Sequence, residues 1–177
     1  MRTALWFAAL AVLLFGAPPV AVAQERPRVI GEYIDWTAIR FREKGETVCW
    51  ISSAPLESNP KNVRRGDIYV LVTHRPTSDP LDDDTLDEVS VYAGYPFANA
   101  SEASIEIGGR EFKMFTNGQS AWAYDSDADK ALVRAMIRGS SMVIRGTSQR
   151  GTETVDRYSL RGFAAARNAI NQACSVR

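Results

Sequence analysis

Along most of this chain, apolar residues recur at every second position in short runs; in two places they recur at every third or fourth. The first spacing is that of a strand with one buried face and the second that of an amphipathic helix. Asp35–Phe41 alternates in part. Glu43-Lys44-Gly45-Glu46 reads as a turn, and Thr47–Ile51 returns as a strand, so the pair predicts a hairpin. Pro55, Asn59 and Pro60 mark a loop before Asp67–His74 (DIYVLVTH), a short apolar run suited to a buried strand. After a loop from Arg75 to Thr85 rich in proline and aspartate, Glu88–Tyr95 alternates cleanly. Ser104–Ile107 and Arg110–Phe115 flank Gly108-Gly109, a strong hairpin signal. Asn117-Gly118 turns the chain into Ser120–Tyr124.

The spacing then lengthens. Asp125 or Ser126 can cap a helix, Asp127 and Asp129 suit its first turn, and Ala131, Leu132, Ala135 and Met136 form its apolar face. Gly139 follows Arg138 as a stop. A strand begins at Met142-Val143-Ile144, and another runs from Val155 to Leu160. Phe163, Ala166, Ile170 and Cys174 share one face of a closing helix. About eight short strands, two helices and no βαβ alternation predict a mostly antiparallel β-sandwich, with a small β-barrel as the alternative.

The N-terminus changes the picture of where such a domain works. Arg2, the apolar run Leu5–Phe15 and Ala21-Val22-Ala23 have the order of a secretory signal peptide cleaved after Ala23. The run is about 11 residues, against the roughly 20 needed to span a bilayer. Gln24–Arg177 would then be a single exported domain with no membrane span, in the periplasm, the outer envelope or outside the cell. The whole chain balances 21 Lys and Arg against 21 Asp and Glu, so losing Arg2 leaves one net negative charge. That near-neutrality argues against a nucleic-acid partner. Cys49 and Cys174 are the only cysteines. In an oxidising compartment they read as a disulfide that fastens the closing helix to an early strand. The other reading, a reactive thiol, needs a histidine, and only His74 exists.

Candidate chemistry is sparse. Gly146–Leu160, GTSQRGTETVDRYSL, has the glycines, hydroxyls and arginines of a phosphate cradle. A phosphate loop leads from a strand into a helix, however, and here a strand follows and no Gly-Lys-Ser/Thr is present. The stretch therefore reads as a hairpin turn, with Arg145, Arg150 and Arg157 as a candidate basic patch. His74 with nearby carboxylates is the only basis for a hydrolase, the alternative function. No second histidine offers a zinc site, and no G-x-S-x-G elbow occurs. Asp79, Asp82, Asp83, Asp84, Asp87 and Glu88 make an acidic loop, of which Asp82, Asp83 and Asp84 are weak calcium candidates without EF-hand spacing. Asp125, Asp127 and Asp129 are explained by the helix start. Trp36, Trp50, Trp122, Tyr92, Tyr95 and Phe97 read first as core or strand-end packing; Tyr95 and Phe97, at a strand end, are also candidates for an exposed aromatic contact with a protein or glycan. No catalytic set and no cofactor motif is visible.

Several long words in order carry a resemblance. RVIGEYIDWTA, RRGDIYVLVTHRP, EVSVYAGYPF and FTNGQSAWAYDSDADKALVRAMIRGSSMVIRGTSQRGTETVDRYSLRGF resemble the invasion-associated locus B (IalB) family of secreted alphaproteobacterial proteins. The resemblance spans Val29 to Cys174, and Cys49 and Cys174 stand where that family's two cysteines are expected. It implies an immunoglobulin-like β-sandwich in the periplasm or outer envelope, without established catalytic residues. In pathogenic members it implies a role in entry into host cells. The expected function is that of a non-enzymatic envelope protein that binds a protein or surface partner.

Overall fold

The computed structural model describes residues 26–43, 45–78 and 84–176. The leader segment and Asp79, Asp82 and Asp83 of the acidic loop lie outside them. The chain runs β1 (Arg28–Tyr33), β2 (Trp36–Glu43), β3 (Glu46–Ser53), β4 (Glu57–Asn59), β5 (Tyr69–Arg75) and β6 (Thr85–Tyr92). Then come β7 (Glu102–Ile107), β8 (Arg110–Asn117), β9 (Ser120–Trp122), α1 (Ser126–Arg138), β10 (Ser141–Thr147), β11 (Glu153–Ser159) and α2 (Phe163–Ala173).

All strand pairs are antiparallel, in one order: β1-β2-β3-β5-β6-β9-β8-β7-β10-β11-β4. Among the described residues the sheet does not close into a barrel; β1 and β4 are its ends. Short β9 pairs with β6 on one side and β8 on the other, and so joins a first half (β1, β2, β3, β5, β6) to a second (β8, β7, β10, β11, β4). Alternation makes the inner face of each half apolar. Ile51, Val72, Val89 and Val91 from the first half share one core with Ile105, Met114, Ile144 and Tyr158 from the second, which gives the fold its sandwich-like form.

Two strands are absent from the sequence reading. β1 is mostly exposed and carries a register shift between Val29 and Gly31, so its alternation is broken. β4 is three polar residues long. Most other elements sit within a few residues of their predicted places.

The helices add to the same core. Asp125 caps α1: its carboxylate accepts from the Ala128 N–H at 2.8 Å. Gly139 ends α1 with a φ of −83°, so it is not there for a left-handed turn. Space decides instead: a Cβ at 139 would stand 2.7 Å from Ile107 Cγ2 and 2.8 Å from Leu160 Cδ1. Gly162, which starts α2, has both demands. Its φ is +89°, and a Cβ there would lie 1.9 Å from the Tyr33 carbonyl oxygen. Only glycine lets α2 begin against the β1–β2 turn.

Two adjacent stripes run along α2. Phe163, Ala166 and Ile170 face the core, with Phe163 edge-on to Trp36 at 4.9 Å. Arg167, Asn171 and Cys174, one helical turn apart in succession, reach β3, β5 and β6. Cys49 and Cys174 are disulfide-bonded, with Cα atoms 6.1 Å apart.

Candidate functional site

His74 lies on the inner side of β5, opposite Cys49 in the ladder, and is fully buried. Its Nδ1 accepts the Asp87 N–H at 3.1 Å. Nε2 therefore carries the proton and donates to Asn171 Oδ1 at 2.7 Å. Burial lowers the His74 pKa, against the opposing pull of the Asn171 hydrogen bond, so the ring is held neutral. The nearby carboxylate, Asp87, is bound to Arg167 through two hydrogen bonds of 2.7 and 2.6 Å. With both ring nitrogens engaged and no exposed edge, His74 cannot take a proton from a substrate. The hydrolase alternative loses its base, and the group instead anchors α2 to β5 and β6.

The other carboxylates divide by environment. Asp84 accepts the Thr77 N–H at 2.8 Å. Among the described residues, no group of three or more His, Cys, Asp or Glu side chains is placed to hold a metal ion. Asp127 is exposed beside Lys130. Asp129 is buried and accepts the Val89 N–H at 2.9 Å, which links α1 to β6.

Burial raises the Asp129 pKa to about 6, helped by Glu88, Asp87 and Asp125 and opposed by the Val89 hydrogen bond. The fold thus binds this proton more tightly than the unfolded chain does. Stability linked to Asp129 is full below about pH 4 and falls as pH rises toward 6. Asp129→Asn keeps an acceptor for Val89 and removes the charge. We expect it to stabilise the protein by about 2 kcal/mol at pH 8 relative to its effect at pH 4. Urea unfolding at the two pH values checks this; an effect independent of pH refutes it.

The predicted contact residues are scattered. Tyr95 and Phe97 are 8% and 6% exposed, so the expectation of an exposed aromatic contact there is corrected. The chain beyond β6 passes under the β10–β11 hairpin, where Phe97 bridges to Ser148. Gly146 makes room for both rings: a Cβ at 146 would meet Phe97 Cε1 at 2.6 Å and the Tyr95 hydroxyl at 2.9 Å. The first glycine of GTSQRGT therefore serves packing, and the segment is a turn between two strands. Arg145 and Arg157 lie on the outer face of β10 and β11 and pair with Glu106 at 3.6 Å and Glu57 at 3.8 Å. A basic patch of three is thus not formed. Arg150 alone, exposed at the hairpin tip, has no ion pair among the described residues.

Two features escaped the sequence reading. One is Arg65, whose guanidinium is held by Asp156 at 2.7 and 2.6 Å and by the Ala93 carbonyl at 2.9 and 2.7 Å. It also lies 4.9 Å from the centre of the Tyr95 ring. Arg65 and Asp156 side chains are 6% and 4% exposed, a buried ion pair joining the two halves of the sheet.

The other is the outer face of the first half. The ladder places Ile39 beside Trp50, Leu71 beside Ser52, Tyr69 beside Tyr92, and Trp122 between Ser90 and Phe115. Tyr69 stacks on Tyr92 at 4.5 Å and Phe115 on Trp122 at 5.6 Å. Phe115 is 39% and Tyr124 55% exposed. Two open grooves mark this face, one of about 570 Å³ at Trp50, Tyr69 and Leu71, and one of about 990 Å³ at Phe115 and Trp122. Alternation in the neighbouring strands held the signal: Trp50, Tyr69, Tyr92 and Trp122 all occupy the phase opposite to the core residues.

Comparison with known proteins places the chain beside a family and a solved structure. Residues 36–171 match the family model described as Invasion associated locus B (IalB) protein. The crystal structure of invasion associated protein b from Bartonella henselae superposes with a TM-score of 0.54 at 15% identity, covering 81% of this chain and 95% of that one. At that identity the likeness is one of fold. No curated protein sequence matches the chain.

Proposed function

The chain belongs to the invasion associated locus B (IalB) family, and from that premise we propose that it is an exported, non-catalytic protein of the cell envelope that binds a protein partner. The aromatic outer face of β3, β5, β6, β9 and β8 is the observation that carries this reading. Large apolar side chains directed at solvent across adjacent strands mark recognition surfaces. Their surroundings favour a protein over other partners. Beyond Phe115 the face turns into mixed charge, with Glu102 paired to Lys113 at 2.8 Å and Glu106 to Arg145 at 3.6 Å. An apolar centre with a polar rim of both signs is the anatomy of a protein interface. The disulfide supports an oxidising compartment. Among the described residues no helix is long and apolar enough to cross a membrane. The name of the Bartonella protein ties it to invasion; a contribution to host-cell entry is the extension of that role to this chain.

A photo-crosslinking residue placed at Phe115 or Tyr124 in intact cells tests the reading. We expect one discrete crosslinked protein from these positions and none from Arg138, at the far end of α1. That protein should bind the purified chain in vitro and lose affinity for Trp122→Ala. No adduct at Phe115 or Tyr124, or binding that ignores Trp122→Ala, refutes it. Binding of the purified chain to host cells separates direct adhesion from an envelope role that affects invasion indirectly.

A further inference from the structure

A cleft of about 230 Å³ opens between the loop before β5, the Gly94-Tyr95-Pro96 segment and the β10–β11 turn. Its floor is buried: Tyr95, Ser148 and Thr154 are all below one-tenth exposed. Its rim is exposed and carries Arg64, Gln149 and Arg150. Behind it Arg65 is fully committed to Asp156 and the Ala93 carbonyl, so that pair adds no net charge. Neither Arg64 nor Arg150 has an ion pair among the described residues, and no carboxylate lines the cleft. The rim therefore holds two uncompensated guanidinium groups, and the Gln149 amide and Thr152 hydroxyl, which also line the cleft, make no side-chain hydrogen bond among the described residues.

We infer that this cleft binds a small oxyanion group, a carboxylate, sulfate or phosphate, with Arg64 and Arg150 as its charge partners and Gln149 and Thr152 as neutral donors. Guanidinium forks match such oxygens in pairs. The volume lies below the roughly 300–1,000 Å³ of pockets that enclose a drug-sized ligand. It suits the anionic end group of a saccharide or a free anion. The inference is independent of the aromatic face, since none of its residues lies there.

The test is titration of the mature chain, Gln24–Arg177, with inorganic phosphate, with glucuronate and with uncharged glucose, followed by amide NMR shifts around residues 64, 94–96 and 148–154. We expect phosphate and glucuronate to shift these signals, glucose to leave them unmoved, and added sodium chloride to weaken both. Tighter binding of glucuronate than of phosphate assigns the site to an acidic sugar; the reverse assigns it to a free anion. Arg150→Ala, at an exposed turn, should weaken the bound anion about tenfold, and Arg64→Ala likewise. Arg145→Ala, outside the cleft, should change nothing. No shift with either anion up to tens of millimolar, or binding that survives Arg150→Ala unchanged, overturns the inference.

Discussion

Arg65→Ala should destabilise the protein by about 3–5 kcal/mol, the largest effect expected of any single side chain outside the apolar core. The reason is what it leaves behind. Asp156 would be left without its partner in a site 4% exposed, and the Ala93 carbonyl would lose two donors. An unpaired buried charge costs far more than the pair contributes. The companion variant makes this explicit: Arg65→Met with Asp156→Leu removes both charges and fills similar volume, so most of the loss should return. Urea unfolding of the single and double variants measures both. A cost below about 1 kcal/mol for Arg65→Ala, or no recovery in the double variant, would show that the pair is not held as described.

Reducing the Cys49–Cys174 bond, or replacing both cysteines with alanine, should cost up to about 4–5 kcal/mol. The bond spans 125 residues of sequence, nearly the whole described chain. In the chain-entropy account its main effect is on the unfolded state, where it removes most of the freedom of a long loop. In the folded state its loss should be felt first in α2. Asn171 and Arg167 still tie that helix to His74 and Asp87, so the C-terminal turn should exchange its amides faster while the core strands stay protected. The denaturation midpoint with and without reductant, and hydrogen exchange of α2, are the measurements. An unchanged midpoint would reject the bond as a stabiliser.

Legibility followed locality. The Gly108-Gly109 hairpin, the Asp125 cap and the strand–turn–strand character of GTSQRGT are all set within a few residues, and each was readable. The role of Arg65 was not: its partner, Asp156, is 91 positions away. A single chain written as letters gives no hint of which arginine meets which aspartate. Whether Tyr95 and Phe97 pack or face a partner stays open in the sequence for a related reason. Strand β6 ends at Tyr92, before the Tyr95 expected from the alternation, and burial of the two rings depends on a hairpin that arrives much later and on the missing side chain of Gly146. The aromatic outer face lay in plain view as the second phase of each strand. It went unread because rings in a β-sandwich are habitually assigned to the core. Gly139 shows the opposite case, a correct stop with another cause.

The three residues of β9 have a further consequence. They are the spine of a folded page, the strand whose ladder pairs run into both leaves. The fore-edge is fastened mainly by side chains, Arg65 to Asp156 and the Trp36 indole to the Ser159 carbonyl at 3.1 Å, with one backbone bond from the Asp35 N–H to the Arg161 carbonyl at 3.4 Å. A molecule built this way gives at its clasps before it gives at its binding. Once the Cys49–Cys174 bond that ties α2 to β3 is reduced, force or denaturant should part β11 from the first leaf while the spine stays closed.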